Sequence, residues 1–282
     1  MDFNGGQLQR LAIRHAICRF APTKTNNFKT VNTMFNSSNP VFGRNIFANS
    51  ARDFTGGNTM TVKGTMGKSL LMLALVILSA SYTWKMFYGL ETPNAAMGWM
   101  IGGAIGGLIT GLIISFVPRT AGFLSPIYSV LQGLFLGAIS AFFEQRFPGI
   151  VMNAVGLTLA TAFLLFFIYR TGIIKVTNKL RVGIIAATGA IALFYLATWI
   201  IGMFGGNVSF MANSSTLSIG ISVVVVIVAA LNLLLDFDFI EQGEKAGAPK
   251  YMEWYGAFGL MVTLIWLYLE MLKLLAKLSR RD

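Results

Sequence analysis

The 282-residue sequence has a single cysteine, Cys18, and a single histidine, His15. One cysteine excludes an internal disulfide, and one histidine excludes a His-rich metal site. Both precede the first long apolar run. The apolar part of the chain therefore lacks thiol and imidazole, which rules out histidine-dependent intramembrane proteolysis and most zinc hydrolysis; an enzyme is not expected. Charge is also scarce, at 12% of residues, where a soluble domain carries about 25%. In its place the chain has 55% hydrophobic residues and a mean hydropathy of +0.67, more apolar surface than a soluble fold of this length could bury. Acids are the rarest charges, 11 against 22 lysines and arginines, for a net charge of +11. Such a balance could serve nucleic acid, but the basic residues gather in the N-terminal segment and in short loops, as membrane topology signals do. The lipid bilayer is the expected partner, and nucleic acid is not.

A crossing of roughly 30 Å of hydrocarbon needs about 20 apolar residues, and seven such blocks follow the N-terminal segment. Residues 1–67 are polar and basic and read as a mostly disordered cytoplasmic tail. Within them Leu8 to Phe20, with Arg10, Arg14 and Arg19, weakly resembles an interfacial basic helix or a transit peptide. Met34 offers an alternative start, so residues 1–33 read as an upstream extension. The remaining residues, 68–282, form the transmembrane domain, with spans expected near 69–88, 95–117, 123–143, 148–169, 182–204, 216–240 and 256–278. Continuous apolar blocks without alternation exclude a barrel, so the fold class is all-α, a polytopic bundle of seven helices.

An N-terminus inside puts sixteen basic residues on the cytoplasmic side and six outside. This favours a cytoplasmic N-terminus, although four of those six crowd the C-terminal stretch (Lys273, Lys277, Arg280 and Arg281). Glycines spaced by four let helix backbones approach. Gly98, Gly102 and Gly106 form one such ladder, Gly103, Gly107 and Gly111 a second, and Gly133 with Gly137 a third.

Ionisable groups inside a membrane cost about 2.5 to 3.5 kcal/mol or more each and mark candidate sites. Asp236, Asp238, Glu241, Glu244 and Glu253 cluster around the link between spans six and seven, and Glu270 interrupts span seven. At 100° per residue, Ser218, Ser222, Ala229, Asn232 and Asp236 fall on one stripe of span six, with Asp238 roughly opposite. Gly256, Gly259, Thr263, Trp266 and Glu270 share a stripe of span seven. Asp236 and Glu270 are the expected proton- or ion-sensing pair, with Asp238, Glu241 and Glu253 as supporting acids. Ser218, Ser222, Asn232 and Thr263 would line a pore. Two neighbouring carboxylates in a dry place would share one proton and titrate as a unit. Oxygen-only chemistry favours protons or transient Ca²⁺ at Asp236 and Glu270 over soft metals, and no resident cofactor is expected. The alternative is that Asp236 and Asp238 cap span six in water while Lys273 or Lys277 neutralises Glu270.

Several strings at these residues resemble the Bax inhibitor-1 superfamily, in its bacterial, YccA-like branch. They are Asn39-Pro40-Val41-Phe42, the run from Leu235 to Gly243, the run from Ala248 to Tyr255, and Leu267-Tyr268-Leu269-Glu270. The resemblance covers about Asn39 to Arg281. It implies seven helices with the last near the centre, and acids on helices six and seven that form a pH-sensitive latch in a calcium leak pathway. Asp236 matches the first of those acids, and Glu270 matches the acid of a Leu-Tyr-Leu-Asp pattern. Glu replaces Asp at 270, Asp238 stands where Gln is frequent, and the segment between the acids is longer than in the calcium-leak members. If span seven began at Met252, Glu270 would lie about 27 Å along it, too far from Asp236. Pairing therefore requires Glu241 to Tyr255 to be an interfacial or re-entrant connection.

The expected function is a pH-modulated calcium (cation) leak channel in a bacterial cytoplasmic (inner) membrane. The alternative implied by the YccA-like resemblance is a non-conducting regulator of a membrane-bound AAA protease or of membrane stress responses.

Overall fold

The computed structural model describes residues 59–89, 93–204 and 215–280. The expected disordered tail, Leu8 to Phe20 and the alternative start at Met34 lie outside the described residues, apart from the tail's last few positions. Seven α-helices follow one another: α1 Val62–Tyr88, α2 Pro93–Phe116, α3 Ala121–Arg146, α4 Ile150–Arg170, α5 Asn178–Met203, α6 Thr216–Lys245 and α7 Met252–Ser279. A single 3-10 turn, Pro118–Thr120, joins α2 to α3. Each helix is long and apolar enough to cross a bilayer, and the chain is an integral membrane protein.

Helix boundaries differ from expectation at several ends, and two of the differences bear on the site. Residues 62–67, read as tail, already belong to α1, because the Thr61 side chain accepts the Gly64 N–H at 3.0 Å and starts the helix there. At the other end of the sequence, Glu241 to Tyr255 does not form a separate connecting segment, since α6 runs on to Lys245 and α7 begins at Met252. Gly247 takes a positive φ of 65° just past α6, the Ala246 and Gly247 amides return to the Gln242 and Glu244 carbonyls, and α7 restarts at Met252. A left-handed glycine at this position ends the helix sharply, so α6 and α7 form a tight antiparallel hairpin.

This hairpin is the core of the bundle. Of the most apolar stretch of α7, 61% is buried, against 6% for α5, so the last helix is central, as expected, while α5 lies at the edge. Leu233 and Phe237 of α6 pack with Leu260, Leu267 and Leu272 of α7 and with Ile150 and Ala154 of α4. Small residues set the closest approaches. A Cβ at Gly133 would come within 2.5 Å of the Val76 carbonyl, and one at Gly103 within 2.5 Å of the Leu131 carbonyl. The α1–α3 and α2–α3 contacts therefore depend on these glycines. Gly98 and Gly102 face open space, so the first ladder is not a packing seam at those two positions.

The chain just before α1 is fastened to the α6–α7 link. The Met60 amide donates to the Ala248 carbonyl at 2.6 Å, and Glu244 accepts the Val62 N–H at 2.9 Å. Glu253, 1% exposed, accepts both the backbone N–H and the hydroxyl of Thr61 at 2.9 Å. It also pairs with Lys68 at 2.5 Å and with Lys250 at 2.7 Å.

Candidate functional site

Cross-hairpin contacts fix where the two expected sensing acids lie. Phe239 stacks near Tyr255, with ring centroids 6.3 Å apart, and Lys277 donates to Ser222 at 2.7 Å. Counting from either contact puts Asp236 and Glu270 seven to twelve residues apart in level, roughly 10 to 18 Å along the axis. The expected pair does not form, and Asp236 and Glu270 cannot hold one Ca²⁺ between them. The cause is the sharp link: residues equally far from it share a level, and Asp236 is much nearer to it than Glu270.

Both acids are nevertheless buried, at 1% and 2% exposure. Glu270 accepts the Tyr195 hydroxyl at 3.0 and 3.1 Å and pairs with Lys273 at 3.0 Å, so half of the alternative reading holds. The Lys273 ammonium also sits 5.0 Å from the centre of the Tyr195 ring. Asp238, expected to point away from the bundle, is instead held by Arg181 at 2.5 Å and by Gln242 at 2.5 Å. Glu241 accepts the Tyr169 hydroxyl and pairs with Lys245 at 2.5 Å. Glu253 fastens the start of α1, as described above.

The expected pore-stripe residues divide. Ser218, Ser222 and Asn232 are buried along α6. Lys277 reaches the Ser222 hydroxyl and, at 3.4 Å, the Ser218 carbonyl. The Asn232 amide donates to the Thr188 hydroxyl at 2.8 Å. Thr263, also buried, donates to the Gly259 carbonyl of its own helix at 3.3 Å and makes no polar link across the bundle among the described residues.

Together these contacts form a polar seam where α5 meets the α6–α7 hairpin, running nearly the length of the bundle. On α5 the seam is made by Arg181, Thr188 and Tyr195, each seven residues from the next. A heptad step keeps side chains on one face with a drift of about 20° and advances about 10.5 Å. Their partners are Asp238, Asn232 and Glu270. The α5 residues were missed because Arg181 reads as a boundary charge and the rest of the segment as a featureless apolar span. Thr188 and Tyr195 inside the uncharged run, at heptad spacing from the Arg181 that bounds it, were the signal available.

Among the described residues no group of three or more His, Cys, Asp or Glu side chains could hold a metal ion. Ca²⁺ takes six to eight oxygens, so the isolated carboxylates of the seam do not fit a resident calcium. A cation passing them would be cargo.

Residues 39–280 match the model of the family described as Bax inhibitor 1 like. The chain belongs to the Bax inhibitor 1 like family. Neither a curated protein nor a solved structure matches it. Family membership agrees with the all-helical bundle of seven spans and with the long match that the strings around Asp236 and Glu270 carry.

Proposed function

We propose that this Bax inhibitor 1 like protein is a pH-modulated cation leak pathway, calcium included, with the polar seam as its conduit and α5 as the wall that moves. The observation that carries this reading is the heptad stripe of α5. Arg181, Thr188 and Tyr195 bond to Asp238, Asn232 and Glu270, whereas Ile184 is the only buried residue in the rest of that helix. Polar groups facing hydrocarbon are costly, so a closed seam satisfies them internally, and a displaced α5 would let water satisfy them instead. Asp236 and Glu270, at separate depths, would then offer a cation two weak stations rather than one tight site, as conduction requires.

Acid acts on this arrangement through charge. Protonating Asp238 removes the attraction that holds Arg181, and protonating Glu270 weakens the acceptor of the Tyr195 hydroxyl, so α5 loosens and flux rises as pH falls. The basic residues that flank the N-termini of α1, α3, α5 and α7 favour a cytoplasmic location for that face, in a bacterial inner membrane.

The test is calcium flux into liposomes carrying the full chain with Cys18→Ser, Thr188→Cys and Asn232→Cys. Oxidative crosslinking of α5 to α6 should reduce flux to that of empty liposomes, and reduction should restore it. Equal flux in the crosslinked and reduced states rejects the moving wall. Silence at every pH, with a membrane-bound AAA protease recovered by pull-down, points instead to the non-conducting regulator.

A further inference from the structure

α1 and α4 stand apart, leaving a cavity of about 340 Å³ floored by α3 and α7 and not lined by α5. Its α1 wall runs from Leu73 to Trp84, about 16 Å along the helix, which is close to half of the ~30 Å hydrocarbon thickness. Leu73 lies near the middle of α1 and Trp84 near its end, so the groove reaches from mid-membrane to one interface. The few hydroxyls in its lining are internally bonded. Ser81 and Thr158 donate to carbonyls of their own helices at 2.8 and 2.7 Å, and Ser140 and Tyr268 bond to each other at 2.6 Å. An apolar groove one leaflet long, open toward lipid, fits a single acyl chain.

The interfacial end has a different character. Ser81, Trp84 and Val151 also line a second recess, of about 430 Å³, that contains Lys85 and Glu144. The two cavities therefore adjoin, sharing these three residues as walls, and tryptophan at their junction suits the interface. Lys85 and Glu144 form no ion pair with each other. The Glu144 oxygens accept the Gly149 and Val151 amides at 2.6 and 3.0 Å and keep lone pairs for a further donor. The recess thus offers one cation and one anion in its wall, beside the interfacial tryptophan.

We propose that this groove binds one phospholipid of the leaflet on the Lys85 side, an acyl chain between α1 and α4 and a zwitterionic phosphate-ammonium headgroup in the recess. Lys85 meets the phosphate and Glu144 the ammonium, which favours phosphatidylethanolamine over phosphatidylglycerol. This site is separate from the polar seam and stands whether or not the protein conducts.

The test is native mass spectrometry of the full chain released from micelles holding equal phosphatidylethanolamine and phosphatidylglycerol. The wild type should retain one phosphatidylethanolamine, at least fivefold over phosphatidylglycerol. Val155→Trp fills the groove from a position that is already 37% exposed, and it should lower the adduct at least fivefold. Phe163→Trp, on the lipid-facing side of α4 and outside the groove, should leave the adduct unchanged, and Glu144→Gln, which keeps an acceptor for a backbone amide but removes the charge that meets the ammonium, should abolish the headgroup preference. Equal retention of the two lipids, an adduct that survives Val155→Trp, or a dimer mass in place of a lipid adduct would overturn the assignment.

Discussion

Glu253 shows how one carboxylate can organise an interior contact. It receives the amide and the hydroxyl of Thr61, just before α1, and two ammonium groups, all within the reach of a side chain that is almost fully buried. Removing it leaves Lys68 and the Thr61 amide without their acceptor, and breaking a buried pair by deleting one partner costs about 3 to 5 kcal/mol. Glu253→Ala should therefore lower the midpoint of thermal unfolding in detergent more than Glu241→Ala, whose partners sit nearer to solvent. Gly64 belongs to the same contact, since a Cβ there would collide with the Glu253 carboxylate. Gly64→Ala should reproduce part of the Glu253→Ala loss, about 1 to 3 kcal/mol for overpacking, and a full wild-type midpoint would show that the carboxylate can move aside. At Arg181 the expected direction is opposite for function. Arg181→Ala frees α5 at one end, so calcium flux at neutral pH should rise several-fold and its acid dependence flatten. Unchanged flux and pH profile would detach Arg181 from gating.

At the scale of the helices, existence was legible in the sequence and termini were not. Seven apolar blocks separated by charges or by a glycine- and asparagine-containing stretch gave the seven helices, because burial in lipid imposes a length and a polarity that hydropathy reads directly. The ends depend on capping instead. Thr61 starts α1 and Gly247 stops α6 outside any apolar run, so the periodic pattern carries no mark of them. That gap decided the site as well. Asp236 and Glu270 were identified as buried acids from their types and stripes, yet their separation depends on where α7 begins, and four residues of helix start move Glu270 by about 6 Å. The glycine ladders show the same division, since spacing alone does not tell a packed face from a lipid-facing one. Gly103→Leu should separate α2 from α3 and lower the unfolding midpoint. Gly102→Leu, one residue away and facing open space, should leave it nearly unchanged, and equal effects would contradict the packing geometry.

For the whole molecule the number of crossings fixes the sides of the two ends. Seven spanning helices put the start of α1 and the end of α7 on opposite faces, which places the basic stretch of α7 where topology rules disfavour it. The conflict eases once those side chains are located. Lys273 is paired with Glu270 and lies over Tyr195, Lys277 is bonded to Ser222 and to the Ser218 carbonyl, and the Arg280 guanidinium sits 5.8 Å from the Phe147 ring. Lysines engaged by the interior of the bundle are not free signals at the membrane surface, so the basic residues around the starts of α1, α3, α5 and α7 outweigh them. Reporters fused before Met1 and after Asp282 should thus give opposite readings, active on one side of the membrane only for each fusion. The double variant Lys273→Gln, Lys277→Gln should leave that topology unchanged while loosening the seam. If both reporters score on the same side, one of the seven helices does not cross, and α5, with so little of its surface buried, is the first to examine.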